Sequence, residues 1–277
     1  MDFAGKGVVE MILSRDNLEK VYVGKTKDVY AYADGQVVLY TKDETTGWWK
    51  DAEDGTKFFV EDPGGNQVGP AVEGMGAKNL NASDYYFKLF SQNGLENHYI
   101  QGDLDNNLML VHKGEVIGSG LECIVRFFAF GSLIRRFPDQ YQEGQPVADF
   151  FETTLKDDEA NDPVVSKADV VAAGSLTPEQ YDEVQRLSFA AANLIREDLA
   201  EIGLTLVDIK FEMGIVNGQI MLIDEVSAGV MRVARGEVKA ENILNEEELA
   251  DLLVDRATQQ RIVQAMLNNS QTGECCF

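Results

Sequence analysis

The sequence predicts an α+β fold with two lobes, because strand and helix signals are distributed unevenly along the chain. The first part holds short alternating segments separated by turn residues, a pattern typical of antiparallel strands. The second part adds long helical patterns to such strands. We place the boundary near Ser119, so residues 1–118 form a β-rich lobe and residues 119–277 an α+β lobe. A chain of 277 residues accommodates one large domain or two modest ones.

The first lobe is dominated by hairpin and turn signals. Residues 20–43 alternate around an Asp-Gly pair, which strongly indicates a hairpin. The next segment, DAEDGTKFFVEDPGGNQVGPAVEGMG, is rich in Gly, Asp and Pro and predicts a loop with one short strand. NASDYYFKLFSQNG then predicts a helix capped by Asn81 or Ser83. LMLVHKGEVIG predicts a second hairpin around Lys113 and Gly114.

The second lobe contains the clearest helix of the sequence. A buried strand, GLECIVRFF, leads to a turn at Gly131 before it. Thr177 fits the helix N-cap, Pro178 the first turn, and Gln180 completes a capping box. The apolar stripe of this helix consists of Val184, Leu187, Ala191, Leu194, Ile195 and Ile202. A charged hairpin follows, and NEEELADLLVDRATQQRIVQAMLNN predicts a C-terminal helix.

The composition argues against several classes of function. The formal net charge is -23, whereas proteins that bind nucleic-acid phosphates usually present a basic face. We therefore expect no nucleic-acid partner. The chain has 2 His and 3 Cys, and no Cys pair has metal-ligand spacing. Catalysis or metal binding based on these residues is therefore not expected.

The sequence also indicates where the protein resides. No apolar run is long enough to cross a bilayer, so no membrane association is expected. The first residues, MDFAGKGVVEMILSRDN, lack the basic region and long apolar core of a signal peptide. We expect a location in the reducing cytoplasm.

The segment LVDIKFEMGIVNGQIMLIDEV places several charges in an otherwise apolar strand pair. Asp208, Lys210 and Glu212 alternate with apolar residues, so they share one face of a strand whose other face is core. Such a polar face is either simply solvated or the wall of a binding site. The pattern alone leaves both readings open.

The turn of this hairpin decides whether Glu212 and Asp224 meet. A two-residue Asn-Gly turn puts them on opposite faces, whereas a three-residue turn with a bulge pairs them directly. Two facing carboxylates repel each other unless a cation lies between them. Mg²⁺ suits such a pair, because it commonly takes one or two carboxylates together with substrate phosphates.

Two further segments contain residue types that bind phosphate. In YVGKTKDVY, Gly24 allows a close backbone approach while Lys25 and Lys27 point to one side. In ECIVRFFAFGSLIRRF, a buried strand delivers Arg126 next to a turn that holds Ser132. An arginine and a serine at a turn make a clamp for a phosphate or carboxylate. Each segment alone also fits an ordinary exposed hairpin or helix face.

Taken together, the motifs resemble those of one enzyme family. The patterns of that family are G-K-x-K-x-x-Y, K-D-D-x-T, E-x-x-V-R-x-x-x-[TA]-G-S, K-N-D-x-x-x-D-P, L-[IV]-D-x-K-x-E-x-G and D-E-x-S-P-D-x-x-R. In the same order this sequence reads GKTKDVY, KDETT, ECIVRFFAFGS, KDDEANDP, LVDIKFEMG and DEVSAGVMR. The matches extend from about residue 20 to residue 235, so the chain resembles the SAICAR synthetase (phosphoribosylaminoimidazole-succinocarboxamide synthase) family.

The resemblance implies a two-lobed fold with ATP in the cleft and an ATP-dependent ligation of purine biosynthesis. The carboxylate of the phosphoribosyl substrate CAIR would be joined to the amine of L-aspartate, which gives SAICAR, ADP and phosphate. The first lobe would bind nucleotide, and the second would bind substrate and Mg²⁺. Members of the family differ in assembly, so the sequence leaves a homo-oligomer open.

The resemblance also implies roles for individual residues. Those that would bind ATP are Gly24, Lys25 and Lys27, and those that would hold Mg²⁺ are Glu212 and Asp224. Those expected to be catalytic are Lys210 and Asp208. Those that would bind substrate are Arg126, Ser132, Lys156, Asp162 and Arg232.

The sequence departs from the family patterns where the organic substrates would lie. The family's Ser-Pro-Asp is replaced by a serine followed by Ala228 and Gly229, so a carboxylate is missing. Phe127 and Phe130 replace smaller or polar residues, Met75 replaces a lysine, and a segment near residues 51–72 is additional. Two alternatives therefore stand beside the family reaction. One is a related ATP-dependent ligase with another acid or amine, and the other is a nucleotide-binding homologue without catalysis.

Overall fold

The computed structural model of the chain describes residues 13–63, 65, 67–157, 159–160 and 162–272. Most of the opening segment used to argue against a signal peptide lies outside these residues. In chain order the elements are β1 (Lys20–Val23), β2 (Lys27–Ala31), β3 (Gln36–Thr41), β4 (Glu44–Asp51), β5 (Lys57–Glu61), β6 (Gln67–Ala71), α1 (Met75–Gln92), β7 (Tyr99–Asp103), β8 (Leu108–His112), β9 (Glu115–Phe128), α2 (Ser132–Arg136), β10 (Pro146–Leu155), β11 (Val164–Val165), α3 (Lys167–Ala172), α4 (Pro178–Ala200), β12 (Leu204–Val216), β13 (Gln219–Ile223), β14 (Met231–Arg235) and α5 (Glu246–Thr272).

Antiparallel sheets form the framework of the described part of the chain. A five-stranded sheet has the order β1-β2-β3-β8-β7, and a three-stranded sheet has the order β5-β4-β6. A six-stranded sheet has the order β11-β10-β9-β12-β13, with β14 also paired to β12. The predicted α+β fold is confirmed. The boundary predicted between residues 118 and 119 falls inside β9 and stays a prediction.

Two local predictions in the first lobe are wrong. Strands β8 and β9 do not form a hairpin around Lys113, because β8 pairs with β3 and β7 while β9 pairs with β10 and β12. The chain therefore passes from one sheet to the other at this point. The segment predicted as a loop with one strand instead forms the three-stranded sheet, in which Trp48 pairs with Val60 and Gly47 with Gln67.

Helix α1 begins at Met75, earlier than the predicted caps Asn81 and Ser83. A backbone N–H of its first turn is bound by a residue far away in the sequence, because Asp43 Oδ1 accepts the N–H of Gly76 at 2.9 Å. Ser83 lies inside the helix, where its hydroxyl donates to the carbonyl of Asn79. A cap supplied by a residue more than thirty positions away leaves no local sequence signal.

Helix α4 follows its sequence signals closely. The Thr177 hydroxyl accepts the Gln180 N–H at 3.2 Å, and the Gln180 side chain accepts the Thr177 N–H at 2.9 Å. The stripe of α4 packs on β9, β12 and β13, and Leu187 and Ile195 are fully buried there. Each such side chain contributes roughly 1.5–3 kcal/mol by its burial. The six-stranded sheet is thereby held rigidly on one face.

A buried carboxylate joins three helices behind the sheets. Asp198 of α4 accepts from the Tyr85 hydroxyl of α1 at 2.6 Å and from Arg256 of α5 at 2.7 Å. This network fixes α5 relative to α1 and α4. No helix in the described residues is long and apolar enough to cross a membrane.

Candidate active site

A cleft of about 910 Å³ is lined by residues from all three sheets. Its walls include every residue that the sequence analysis singled out for a role: Gly24, Lys25, Lys27, Arg126, Ser132, Lys156, Asp162, Asp208, Lys210, Glu212, Asp224 and Arg232. Residues from five separate segments therefore converge on one cleft. Their individual roles stay predictions at this point.

The charges of β12 form one wall of this cleft. Asp208, Lys210 and Glu212 line it, while Phe211 and Met213 point the opposite way and are 1% exposed. The strand alternates because successive side chains lie on opposite faces of a sheet. The apolar face packs on the rigid layer of α4, so the charged face is presented by a well-supported strand.

The turn after β12 has the two-residue geometry, the first of the two alternatives that the sequence left open. Glu212 pairs with Ile223 rather than with Asp224. Regular alternation would have carried Asp224 to the face opposite Glu212. Asp224 instead has a left-handed φ of 69°, a conformation that aspartate tolerates better than most residues. This backbone turn brings its carboxylate into the cleft, 3.2 Å from Lys27 Nζ.

Lysine ammonium groups in the cleft pair with carboxylates. The pairs are Lys27–Asp224 at 3.2 Å, Lys156–Glu212 at 2.8 Å and Lys210–Glu122 at 2.7 Å. Burial by itself would lower the pKa of each lysine, but the neighbouring carboxylates raise all three above the ordinary value. The cleft therefore holds lysines that keep their charge at neutral pH.

The two carboxylates predicted to hold a metal differ in their pKa. Burial, and then the charge of Asp224, raises the pKa of Glu212. Burial opposes ionisation of Asp224 as well, but Lys27 and Lys156 outweigh it and lower the pKa of that carboxyl. The charge of Asp224 thus acts on Glu212, as expected for groups that share a cation site.

The donor chemistry of this pair fits Mg²⁺. Within the described residues, no group of three or more His, Cys, Asp or Glu could hold a metal ion by itself. Mg²⁺ is usually bound by one or two carboxylates, with waters and substrate phosphates completing its octahedron. Glu212 and Asp224 match that incomplete ligand set, whereas they would not suit a structural Zn²⁺.

The other end of the cleft is organised around Asp208. Its carboxylate accepts from Arg126 Nη1 at 2.7 Å and from Arg232 Nη1 at 2.8 Å. Both partners are its cross-strand neighbours, Arg126 on β9 and Arg232 on β14. Asp208 is 3% exposed and Arg126 is 2% exposed. Asp208 therefore orients two arginines, and its own oxygens are occupied by them.

The guanidinium of Arg126 is held on its remaining sides as well. Glu152 accepts from its Nε at 3.0 Å and from its Nη2 at 2.6 Å, and the Ser132 hydroxyl accepts from Nη2 at 2.9 Å. Asp62 pairs with Arg232 from the three-stranded side of the cleft. The predicted clamp residues are thus assembled, but each guanidinium is already balanced by carboxylates.

Two glycines permit close approaches in this wall. Gly131 has a φ of 58°, and a Cβ on it would lie 3.0 Å from Arg232 Nη2. A Cβ on Gly24 would lie 2.6 Å from the carbonyl oxygen of Lys27. Gly24 also accepts from Lys42 Nζ at 2.9 Å, which holds the β1–β2 turn against the cleft. A side chain at Gly131 would press on the Arg232 guanidinium, and one at Gly24 would press on the backbone of the β1–β2 turn.

Lys156 and Asp162 flank the acidic loop after β10. Asp162 has a φ of 47°, and its Oδ1 accepts the backbone N–H of Asp157 at 2.9 Å. Lys156 is anchored by its backbone N–H, which donates to the carbonyl of Gly120 at 2.9 Å. The loop thereby presents Lys156 to Glu212 across the cleft.

Sequence reasoning did not select several carboxylates that shape the site. These are Asp62, Glu122, Glu152, Glu225 and Glu246. Glu122 and Glu152 are charged residues within apolar strand segments, a pattern that could have marked them as buried partners of a cation. Asp62 lies in the additional segment near residues 51–72, and Glu246 lies at the start of a helix, so neither carries such a signal in the sequence.

Three of the substituted side chains, Phe127, Phe130 and Met75, do not line the cleft directly, although the Phe130 ring lies 5.9 Å from the Arg232 guanidinium. Phe127 packs under Arg196, whose guanidinium lies 4.5 Å from the ring centroid. Phe130 joins a small core cluster with Val207, and Met75 is fully buried. None of these side chains is among the described residues that line the cleft, whereas Gly229 is. The departures that change the lining of the cleft are therefore the missing carboxylate at Gly229 and the additional segment, which contributes Asp62.

Comparison with known proteins agrees with this geometry. The sequence model of the family described as SAICAR synthetase matches residues 65–256. A phosphoribosylaminoimidazole-succinocarboxamide synthase from Clostridium tetani is 38% identical over 214 residues, which cover 76% of this chain and 90% of that protein.

Solved structures of this kind share the fold. The phosphoribosylaminoimidazole-succinocarboxamide synthase of Ehrlichia chaffeensis superimposes with a TM-score of 0.69 at 26% identity, covering 90% of this chain and 98% of that one. A SAICAR synthetase solved in complex with ADP gives a TM-score of 0.67 at 26% identity, covering 92% and 99%. With the family model matching well over half of its residues, the chain belongs to the SAICAR synthetase family.

Proposed function

We propose that the protein is an ATP-dependent ligase that joins the carboxylate of CAIR to the amine of L-aspartate. The products are SAICAR, ADP and phosphate, a step of purine biosynthesis. The observation that supports this most strongly is the convergence of twelve family-motif residues in one cleft of a family member. The names of the relatives and the ADP bound to one of them agree with it.

We assign the part of the cleft lined by Lys25 and Lys27, called the lysine end, to the ATP phosphates. Gly24 lets the β1–β2 turn approach the nucleotide, and Lys25 and Lys27 supply positive charge. Glu212 and Asp224 would hold Mg²⁺, which when bound would neutralise charge on the phosphate oxygens. Lys27 now pairs with Asp224, so nucleotide binding would exchange that contact for one to phosphate.

The reaction needs positioning and charge stabilisation more than covalent help from the protein. The substrate carboxylate attacks the γ-phosphorus of ATP and ADP leaves. The amine then attacks the carbonyl carbon of the resulting acyl phosphate, phosphate leaves, and the nitrogen loses a proton to give the amide. Lys210 and Lys156 place ammonium groups along the path of the transferred phosphoryl group, where negative charge develops. Their raised pKa keeps them charged throughout.

The arginine end is assigned to the phosphoribosyl substrate. Arg126, Ser132 and Arg232 line the cleft, as do Lys156 and Asp162, to which the family motifs give the same role. Asp208 was expected to be catalytic, but its carboxylate is engaged by two arginines. We assign it a positioning role, in which it sets the direction of both guanidinium groups.

The test is ADP release with ATP, Mg²⁺, CAIR and L-aspartate, with each organic substrate omitted in turn. Release that requires both, together with SAICAR in the product mixture, is the expected result. An ATP-binding, folded protein that stays silent with this pair but turns over another acid or amine would overturn the substrate assignment.

Other expectations from the sequence stay predictions. They are a cytoplasmic location and the absence of a nucleic-acid partner, whereas the oligomeric state was left open by the sequence. The net charge of -23 supports the last of them, because it disfavours contact with a phosphate backbone.

A further inference from the structure

The carboxylate of Glu246 reaches the cleft at the place where the family pattern loses its aspartate. Glu246 is the first residue of α5 and lines the cleft next to Gly229. A Cβ built on Gly229 would lie 3.0 Å from Glu246 Oε1 and 3.5 Å from its Cδ. The side chain of an aspartate at position 229 would therefore point into the space that the Glu246 carboxylate occupies.

The surroundings of Glu246 are acidic and lack a cation in direct contact. Within the described residues no ion pair is formed by Glu246, and its backbone N–H donates to Glu61 Oε2 at 3.2 Å. Burial, followed by the charges of Glu225 and Glu61, raises the pKa of Glu246 to about 7 against a hydrogen bond from Asn79 that lowers it. A carboxylate in this state is stabilised by any cationic group that enters the cleft beside it.

Asn79 provides a second, independent sign of a missing ligand. Its side chain lines the cleft and is 5% exposed, and its Nδ2 donates to Glu246 Oε1 at 3.0 Å. Its Oδ1 has no hydrogen-bond partner among the described residues. A buried acceptor left without a donor is costly, so such groups usually have a partner in the functional complex.

These acceptors match an ammonium group better than a metal ion. An ammonium carries three N–H donors and no acceptor, so it can satisfy a carboxylate and an amide oxygen together. Mg²⁺ prefers more oxygen ligands in octahedral geometry and is already provided for by Glu212 and Asp224. The charges of Glu225 and Lys27 act on Glu246, so it lies near the end assigned to the phosphates.

We propose that Glu246, held by Asn79, binds the amino group of the amine substrate and replaces the aspartate absent at Gly229. The inference rests on the proposed function, since it needs an amine that attacks near the phosphate end. It also explains how the chain can lack the aspartate of the family pattern at position 229. A carboxylate lost from one loop is supplied again from the first turn of α5.

The test measures binding rather than turnover, so it does not depend on finding the right acid. L-Aspartate and succinate, which lacks the amino group, are titrated calorimetrically into the protein with ADP and Mg²⁺ present. The wild type should bind L-aspartate about 10- to 100-fold more tightly than succinate, the range expected for a charge-assisted hydrogen bond. Glu246→Gln should lose most of that preference while its affinity for ADP is unchanged.

Two further variants control this result. Glu247→Gln neutralises the next residue of α5, whose exposed side chain pairs with Lys78, and should keep the wild-type preference. Gly229→Asp combined with Glu246→Ala moves the carboxylate back to the loop and should restore a preference that Glu246→Ala alone lacks. The two substitutions are combined because Glu246→Ala removes the carboxylate that an aspartate side chain at position 229 would contact.

The outcomes separate this inference from the proposed function. Equal binding of L-aspartate and succinate by the wild type, or an unchanged preference in Glu246→Gln, would overturn the amine site. A fall in ADP affinity in Glu246→Gln would mean that the carboxylate serves the nucleotide instead. Absence of SAICAR formation by a wild type that still prefers L-aspartate would overturn the proposed acid substrate and leave the amine site standing.

Discussion

Replacing Asp208 by asparagine should destabilise the protein strongly, although the substitution removes no atoms from the core. Asp208 accepts from Arg126 at 2.7 Å and from Arg232 at 2.8 Å, and it is 3% exposed. The amide that replaces the carboxylate has only one acceptor oxygen. Its NH₂ group would face a guanidinium N–H, so two donors would oppose each other.

The magnitude follows from the burial of this network. Removing one partner of a buried ion pair typically costs about 3–5 kcal/mol, because the other charge stays buried without compensation. Glu152 and Asp62 still contact the two arginines, so we expect the lower half of that range, about 3–4 kcal/mol. That is roughly a hundredfold or more in the folding equilibrium.

The assay is urea-induced unfolding followed by circular dichroism at neutral pH. Asp182→Asn is the matched control, since Asp182 pairs with Lys167 but its side chain is 63% exposed. It should cost less than about 1 kcal/mol, as exposed ion pairs usually do. Equal losses in the two variants would refute the view that Asp208 is the buried centre of the arginine end.

Three further predictions concern Asp224, Gly131 and Glu246. Asp224→Asn should abolish Mg²⁺-dependent ADP release without lowering the unfolding temperature by more than a few degrees. Normal activity in this variant would contradict the assignment of Asp224 as a Mg²⁺ ligand. Gly131→Ala should lower the unfolding free energy by about 1–2 kcal/mol, because alanine is strained at a φ of 58° and its Cβ would press on Arg232. Gly114→Ala, whose Cβ would have ordinary contacts, should be nearly neutral in the same urea titration, and matching losses would contradict the strain. Glu246 has a folded pKa of about 7, above its ordinary 4.5, so it favours folding below pH 4.5 and loses that contribution as the pH rises through 7. Glu246→Gln should therefore gain thermal stability relative to wild type between pH 5 and pH 8, whereas a constant difference would contradict the raised pKa.

The parts of the fold that were predictable are those that local signals determine. Thr177 and Gln180 lie three residues apart, so the capping box of α4 can be predicted from the local sequence alone. The charged wall of β12 follows from strict alternation, which needs no knowledge of the rest of the chain. The remaining site residues were reached through family motifs, and the cleft confirms that they converge.

The parts that were missed depend on distant residues or on a single backbone angle. The start of α1 is capped by Asp43, which belongs to another segment. Asp224 reaches the cleft because of one left-handed φ, which the hairpin pattern cannot encode. Glu246 comes close to Gly229 only when α5 has packed against α1 and the turn at Ala228–Val230. Each case is a tertiary contact that overrides or extends a local rule.

The central claim is that ATP activates a substrate carboxylate in this cleft before the amine attacks. The most direct test uses CAIR labelled with ¹⁸O in its carboxylate, together with unlabelled ATP, Mg²⁺ and L-aspartate. One carboxylate oxygen should leave with the phosphate, so mass spectrometry should find one ¹⁸O in each phosphate released. Phosphate free of ¹⁸O while SAICAR accumulates would contradict activation through an acyl phosphate.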